Sequence, residues 1–243
     1  MDDIQKKFKK IQDDIQKLSS LGLSKISNEI LSQLVRGTPE ITASDLNQMD
    51  PESIKIILAR VGTAMSQEDK EKIVKIISDK KLKDEDKFLV YFIQKLVDIY
   101  DDQQNLDDKI KTYIDVCNEY LSFSKKKIIY NESEVEFYIE SSFYKDKKLL
   151  IDFLSSLSSG EKQILSLFSK IYLSEENEKF YVLFDEPELS LSIFWQERLL
   201  PDIIKSNRCE NLIVATHSPF VYDNELEDHA AGLIDYITVT LED

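Results

Sequence analysis

The chain has 243 residues, of which 42% are hydrophobic and 32% are charged, a balance typical of a soluble globular protein with one or two domains. No apolar run in the sequence reaches the roughly 20 residues that cross a bilayer, and no signal-peptide core follows the N-terminus, so we expect a cytoplasmic location. The net charge of −15 disfavours a general nucleic-acid-binding surface, because an acidic face repels phosphate backbones.

Basic runs and cysteines add little chemistry of their own. The basic runs at 6–10 and 125–127 are interpreted as solvated helix faces, and local contacts to DNA stay open. Cys117 and Cys209 have no metal-ligand spacing, so we expect both to be buried, reduced thiols.

The first half of the chain has helical periodicity. Apolar residues recur at spacings of four and three near the N-terminus, which predicts a helix whose stripe packs against another helix. This stripe consists of Ile4, Phe8, Ile11, Ile15 and Leu18. We expect the pattern to break at "LGLS" (21–24) and at "RGTPEITASD" (36–45), because these segments contain glycine or proline.

Later helices are predicted from their start signals. Asp50 before a proline is typical of a helix start, and Ser66 with Asp69 three residues on resembles a capping box. A long helix is then predicted from about residue 84 to residue 121. The acidic residues at 101–109 are expected to bend or interrupt it.

The pattern changes after residue 125. Apolar and polar residues alternate through 126–142, which predicts a β-hairpin. Two amphipathic segments, "EKQILSLFSKIYLS" and "IFWQERLLPDIIK", then alternate with the apolar segments "FYVLF" and "NLIVAT". Apolar strands between helices indicate a parallel α/β sheet covered on both faces. We therefore predict an all-helical part at 1–125 and an α/β part at 126–243.

Two adjacent carboxylates follow the first apolar strand. Asp185 and Glu186 come directly after "YVLF" (181–184), at the end where open parallel sheets bind ligands. Asp185 is placed to hold Mg²⁺ through water, since Mg²⁺ keeps several waters and uses few carboxylates. Glu186 can polarise an attacking water as a general base. The alternative is an acidic helix start, "DEPE", that interacts with a helix dipole.

A histidine and a Ser-Ser-Gly turn complete the set of candidates. His217 follows the second apolar strand and could donate a hydrogen bond to a terminal phosphate, with a structural histidine as the alternative. Ser158, Ser159 and Gly160 precede a predicted helix, where backbone N–H groups and the Ser158 hydroxyl would form an anion site. A plain N-cap is the alternative for this turn. The order of the three segments along the chain favours a nucleotide site.

Together these segments resemble the ATP-binding-cassette (ABC) type of AAA-family ATPase. "LSSGE" is similar to the signature motif of that family, "YVLFDE" to its Walker B motif, "PELSL" to its D-loop and "ATHSPF" to its switch-histidine segment. The longer strings around them look most like a bacterial subgroup. It comprises the overcoming-lysogenization-defect (OLD) ATPases, the Septu-type anti-phage ATPases and the ATPases found beside retrons. The specific match covers about residues 118–222.

The resemblance implies a fold, cofactors and catalytic roles. It implies an α/β fold at 126–243, the C-terminal half of an ABC-type P-loop ATPase sheet with flanking helices, preceded by a helical arm at 1–125. ATP and Mg²⁺ would be the cofactors. Asp185 would take the Mg²⁺ role, Glu186 would be the hydrolytic base, and His217 would contact the γ-phosphate.

The resemblance also implies a nucleotide-binding surface that faces a second copy. Its residues would be Ser158, Ser159, Gly160, Glu161 and Ser190, with Glu188 and Leu189 at the same dimer seam. Two positions depart from the family pattern. Ser159 stands where the general family has glycine, and Ser192 stands where many relatives have histidine.

The sequence has no Gly-x-x-x-x-Gly-Lys-[Ser/Thr] loop, so it lacks the segment that cradles the α- and β-phosphates in this family. In relatives, that Walker A lobe lies N-terminal to the helical arm. We therefore expect a chain that is inactive alone and takes the lobe from a missing N-terminal part or another chain. By analogy, a homodimer or higher oligomer would control an effector such as a nuclease in anti-phage defence, away from any membrane.

Two other functions stay open. A non-catalytic helical module could dimerise through the stripe from Ile4 to Leu18 and carry idle ATPase motifs. An SMC-like DNA-repair ATPase shares the motifs but normally has far longer arms. A Walker A loop supplied from elsewhere would favour the enzyme over the module.

Overall fold

A computed structural model describes residues 2–61, 65–142, 148–149, 157–175 and 178–236. The chain divides into two compact units, Met1–Ser155 and Ser156–Asp243. Among the described residues, no helix combines the length and the apolar character that a bilayer-crossing segment needs.

In the described part of the first unit, five α-helices precede a small antiparallel sheet. The helices are α1 (Asp2–Arg36), α2 (Ala43–Gln48), α3 (Pro51–Arg60), α4 (Gln67–Asp79) and α5 (Lys87–Leu121). The strands β1 (Lys126–Asn131), β2 (Glu136–Ser141) and β3 (Lys148–Leu149) pair in that order. The two longest helices, α1 and α5, pack against each other and form the frame of this unit.

Most of the N-terminal apolar stripe packs inside this unit, as its spacing predicts. Ile4, Phe8 and Ile15 are at most 1% exposed. The ring centroid of Phe8 lies 5.8 Å from that of Tyr113 on α5 and 4.1 Å from that of Phe137 on β2. These three residues are therefore part of the intramolecular core, whereas Leu18 at the end of the stripe is 37% exposed. The buried part of the stripe does not offer the dimer surface that the helical-module alternative required.

Helix α1 is continuous, so the predicted break at 21–24 is wrong. Gly22 lies in the helix interior because a Cβ atom there would overlap the side chain of Ile99 on α5. Close helix contact, and not a turn, explains this glycine. The break predicted at 36–45 is confirmed, since the helix ends at Arg36 and Gly37 follows with a φ of 105°.

Helix α5 is also continuous, so the interruption expected at 101–109 is wrong, and a bend there stays a prediction. Asp107 lies on the inner side of this helix, and both of its carboxylate oxygens accept hydrogen bonds of 2.9 Å from Arg60. The two side chains are only 5% and 1% exposed. The phenol of Tyr130 donates a third hydrogen bond, 2.6 Å long, to Asp107. Asp107 can lie in the core because its charge is paired with that of Arg60. The local sequence does not reveal this pairing.

The predicted helix starts are confirmed. The Asp50 carboxylate accepts a hydrogen bond of 2.8 Å from the backbone N–H of Ser53 at the start of α3. The Ser66 hydroxyl accepts one of 3.2 Å from the N–H of Asp69 at the start of α4. Each cap satisfies a backbone donor that the first helical turn leaves without a partner.

The predicted hairpin is confirmed. Strands β1 and β2 are antiparallel, with Ile128 opposite Ile139. The Asn118 side chain on α5 donates to the Ile128 carbonyl at 2.9 Å and accepts from its N–H at 2.7 Å. The hairpin thus belongs to the same compact unit as the helices, which extends past residue 125. The division of function at residue 125 stays a prediction.

The second unit has the predicted helix–strand alternation. Its elements are α6 (Ser159–Tyr172), β4 (Phe180–Asp185), α7 (Ile193–Lys205) and β5 (Cys209–Ala215). The two strands are parallel, as expected. Both cysteines of the chain are free thiols, but only Cys117 is buried, whereas Cys209 is half-buried.

One face of the β4–β5 pair is exposed. Tyr181, Leu183 and Ile213 on this face are 68%, 72% and 66% exposed, respectively. The predicted cover on both faces is therefore wrong for the described residues. Parallel strands are ordinarily buried on both faces, so this apolar face has the character of a surface that packs against further structure.

Candidate functional site

The candidate site lies at the carboxyl ends of β4 and β5. The register of the parallel pair places Asp185 beside Ala215. The segments that follow the two strands therefore start next to each other, and we call them the carboxylate loop (186–192) and the histidine loop (216–218). This is the edge of a parallel sheet at which ligands bind.

Glu186 and His217 meet at this edge. The Glu186 backbone N–H donates to the Ala215 carbonyl at 2.8 Å. Glu186 has a φ of 49°, in the left-handed region that non-glycine residues seldom adopt. Its Oε1 lies 3.2 Å from Nε2 of His217, and the side chain of His217 is 92% exposed. The backbone hydrogen bond thus holds Glu186 in place, and its carboxylate lies next to an accessible imidazole. The two groups together could orient a water molecule.

Glu188 holds the histidine loop to the carboxylate loop. Its Oε1 accepts hydrogen bonds from the backbone N–H groups of His217, at 2.9 Å, and of Ser218, at 3.1 Å. The Ser218 hydroxyl donates to Gln196 on α7 at 2.6 Å. The backbone that carries His217 is therefore positioned by the carboxylate loop and by α7.

The two glutamates have opposite pKa shifts. The pKa of Glu186 is raised, first by a hydrogen bond with the Glu188 carboxylate and then by desolvation. Burial acts to raise the pKa of Glu188, but hydrogen bonds from Thr216 and from backbone N–H groups lower it to about 2. With a pKa of about 2, Glu188 is ionised at neutral pH. A raised pKa makes Glu186 the stronger proton acceptor, as a general base requires.

The Ser-Ser-Gly turn forms an N-cap of α6. The Ser158 hydroxyl accepts from the N–H of Glu161 at 3.2 Å, and the Glu161 carboxylate accepts from the N–H of Ser158 at 2.7 Å. This is a capping box, and Glu161 is only 2% exposed. In this structure the Ser158 hydroxyl therefore acts as a helix cap, which is the alternative to an anion site. Contacts of Ser158, Ser159 and Glu161 with a nucleotide stay a prediction.

Gly160 lets the carboxylate loop approach the start of α6. A Cβ atom at Gly160 would overlap the carbonyl oxygen of Ser190 and would lie 3.1 Å from the ring of Trp195. Ser190 itself has a φ of 71°. The Gln163 side chain adds a hydrogen bond of 3.1 Å to the Pro187 carbonyl. The start of α6 thus packs directly against the carboxylate loop, with Gly160 at the point of contact.

The structure brings together most of the residues that sequence patterns select. Glu186, His217, Gly160 and Ser190 all belong to the three segments described above, and Asp185 ends β4 beside them. The positioning residues Gln163 and Gln196 are not selected by the sequence patterns, because a glutamine within an amphipathic helix gives no signal. For Glu188, the sequence suggests a place at a dimer seam, and its hydrogen bonds within the chain come only from the fold.

The donor set fits Mg²⁺. Asp185 is an exposed carboxylate at the strand end, next to Glu186, and Mg²⁺ prefers oxygen ligands. Within the described ranges, no cluster of three or more His, Cys, Asp or Glu side chains forms a metal cage. An ion at Asp185 would therefore take its other ligands from water and phosphate oxygens, as Mg²⁺ does when it binds with a nucleotide.

Comparisons with known proteins give a family and several structural likenesses. A family model described as "AAA domain, putative AbiEii toxin, Type IV TA system" matches residues 66–223, more than half of the chain. Among solved structures, the Smc head domain with an extended coiled coil bound to the C-terminal domain of ScpA, from Pyrococcus furiosus, is similar at 18% identity with a TM-score of 0.37.

That TM-score is too low to establish a shared fold. The similarity covers 90% of this chain and 54% of the Smc chain, so the protein spans about half the length of that structure. No curated protein sequence matches significantly.

Proposed function

The chain belongs to the AAA-domain family, and from that premise we propose that it forms part of a cytoplasmic ATPase. The carboxylate loop and the histidine loop would act on ATP. The observation that carries this proposal is the contact of Glu186 with His217 at the carboxyl ends of two parallel strands, 3.2 Å apart. A capped helix alone, or an acidic turn alone, would not require these two side chains to meet there.

In the proposed site, each residue has one task. Asp185 would hold Mg²⁺, which neutralises charge on the phosphates. Glu186, whose pKa is raised, would accept a proton from the attacking water. His217 would donate a hydrogen bond to the terminal phosphate. Glu188 would position His217, because the Glu188 carboxylate accepts hydrogen bonds from the backbone N–H groups of His217 and Ser218.

The phosphate cradle would come from a Walker A lobe that lies outside these 243 residues. The exposed face of Tyr181, Leu183 and Ile213 supports this, because such a lobe could extend the sheet and cover that face. The same proposal makes the chain inactive until the lobe is present. Whether the lobe belongs to the same polypeptide or to another, it would complete the site that the two loops begin.

A second copy would supply the opposite side of the nucleotide. The start of α6, with Ser158, Gly160 and the adjoining Ser190, would face the γ-phosphate held by its partner. Support comes from the contact that Gly160 makes with the carboxylate loop, because it would link ATP across the dimer to the hydrolytic carboxylate.

The biological role rests on resemblance. The strings "LSSGEKQILSLF", "DEPELSLSIFWQ" and "VATHSPF" look like those of the OLD, Septu-type and retron-associated ATPases. We therefore propose that ATP turnover controls an associated effector, such as a nuclease, in anti-phage defence.

Substitution of the proposed base tests the enzyme directly. ATP turnover and bound nucleotide are measured on the native assembly, isolated from cells that express the chain with its neighbouring segments. Glu186→Gln should lower turnover by about a hundredfold or more, because general-base catalysis contributes at least about that much. The same variant should retain ATP, since binding does not use the base.

The matched control is Glu210→Gln, which removes the same charge from an exposed position on β5. It should leave turnover unchanged. Equal turnover in both variants, or an assembly that binds no ATP, would leave only the non-catalytic module with idle motifs.

A further inference from the structure

The second half of α1 presents an apolar stripe to solvent. Leu21, Leu31 and Val35 are 61%, 63% and 89% exposed. Ile26, on the opposite side of the same helical segment, is only 3% exposed and packs in the core of the first unit. The helix is thus anchored by one face while the other face, with large apolar side chains, is left open.

The exposed stripe has heptad spacing. Leu21, Ser24, Asn28, Leu31 and Val35 follow one another at intervals of three, four, three and four, and all five are exposed. Intervals of three and four keep side chains on one line of a helix and form the seam of a two-stranded coiled coil. In that scheme, Leu21, Asn28 and Val35 occupy a positions, and Ser24 and Leu31 occupy d positions. We call these five residues the α1 seam.

The charge of this segment suits a second copy of the same chain. The protein has a net charge of −15, so most surfaces of two copies repel each other. Residues 18–35 contain only Lys25 and Glu29 as charged residues, and their charges cancel. Two copies that meet at the α1 seam therefore avoid much of the repulsion that other faces would bring.

We propose that the α1 seam is a self-association surface, at which α1 of a second copy packs in parallel and in register. Each seam residue then meets its own counterpart, with Leu31 against Leu31 and Val35 against Val35. Asn28 meets Asn28, and a polar residue at one a position specifies the register and the dimeric state of parallel coiled coils.

The parallel arrangement follows from the flanking residues. In an antiparallel pair with Leu21 opposite Leu31, Lys25 of one copy lies close to Lys25 of the other, which is unfavourable. In the parallel, in-register pair, the two copies of Lys25 lie on opposite sides of the seam, so no like charges meet. The segment is already helical and anchored at Ile26, so association costs little ordering entropy. The seam is short, and we expect a weak dimer that depends on concentration.

Sedimentation equilibrium of the full chain tests this surface. The measurement is made without nucleotide, so that an ATP-dependent dimer of the proposed enzyme does not contribute. The unaltered chain should form dimers over the concentration series, and Leu31→Lys should raise the dissociation constant about tenfold or more, because two lysines then face each other. Leu31 is 63% exposed, so the variant should fold, which circular dichroism verifies.

Ser78→Lys is the matched control, since it adds the same charge at an exposed position on α4; it should associate like the unaltered chain. Mixing Leu31→Lys with Leu31→Glu should restore dimers, because the parallel register pairs these two positions. A monomer at all concentrations, or unchanged association of Leu31→Lys, would overturn the proposal. Failure of the mixture to associate would overturn the parallel register.

Discussion

Glu188 is the residue at which the two loops of the candidate site are joined. It lies two positions after the proposed base, and its carboxylate accepts hydrogen bonds from the N–H groups of His217 and Ser218. Hydrogen bonds to an ionised group are stronger than those to a neutral one. The ionised state of Glu188 should therefore stabilise both the fold of the second unit and the position of His217.

The stability of the second unit should depend on the ionisation of Glu188. The folded pKa is lowered to about 2 from an ordinary value of 4.5, so the stabilisation is complete above pH 4.5 and is lost as the pH falls towards 2. Glu188→Gln should reduce the free energy of unfolding at neutral pH by about 1–2 kcal/mol. The free energy of unfolding of this variant should also fall less than that of the unaltered chain between pH 4.5 and pH 2.

The fluorescence of Trp195 can report this unfolding. Trp195 is the chain's one tryptophan, and it is 6% exposed in the second unit. Glu210→Gln on β5 serves as the control with the same change in charge. Equal unfolding midpoints for the two variants at neutral pH would show that Glu188 does not join the loops.

Sequence patterns select candidate site residues where the signal is local. Asp185, Glu186 and His217 are found because each follows an apolar strand, and parallel strands end at one edge of a sheet. The roles of Glu188 and Gly160 need the fold, since Glu188 contacts residues almost thirty positions away and Gly160 contacts Ser190. No rule of spacing encodes such contacts.

At the scale of elements, the helices of the first unit depend on pairs that lie far apart in sequence. Arg60 at the end of α3 pairs with Asp107 in the middle of α5, and Arg60 also donates to Gln103 at 2.8 Å. Helix boundaries with local caps, at Asp50 and Ser66, are predicted correctly. The continuity of α1 and α5 is not, because it depends on partners that the local sequence does not show.

Removal of one partner of the buried pair should strongly destabilise the first unit. Asp107→Ala leaves Arg60 charged in a site where 5% of its side chain is exposed. The free energy of unfolding should fall by about 3–5 kcal/mol. Urea unfolding followed by far-ultraviolet circular dichroism measures this, because the first unit holds the long helices.

The neighbouring Asp108 provides the control. It is exposed on the same helix, so Asp108→Ala removes the same group without uncovering a buried charge. The explanation of the continuous α5 by charge pairing is wrong if the two substitutions destabilise the protein equally.

At the scale of the whole molecule, acidic charge is unevenly distributed over the sequence. Residues 1–125 have 20 basic and 23 acidic residues and a net charge of −3, which leaves −12 of the total of −15 for residues 126–243. The α1 seam lies in the nearly neutral half. Long-range repulsion between two copies should therefore come mostly from charges outside the seam.

Salt should strengthen the proposed self-association. Ions screen repulsion between like-charged molecules, with a Debye length of about 10 Å at 0.1 M and about 3 Å at 1 M ionic strength, while the apolar contacts of the seam do not weaken. The dimer dissociation constant should fall as sodium chloride is raised between these limits in sedimentation experiments. A dissociation constant that rises with salt would indicate an interface held by opposite charges. Such an interface would not be the α1 seam, which is apolar and nearly neutral.

The contact between Gly22 and Ile99 also limits how the first unit can move. If α1 slid along α5 by one helical turn, about four residues, Leu18 or Ile26 would come opposite Ile99, where even a single methyl group does not fit. Sliding of packed helices is one common way in which proteins change shape. The close contact at Gly22 therefore favours one longitudinal position of α1 along α5, and sliding by a helical turn would require the side chain of Ile99 to move.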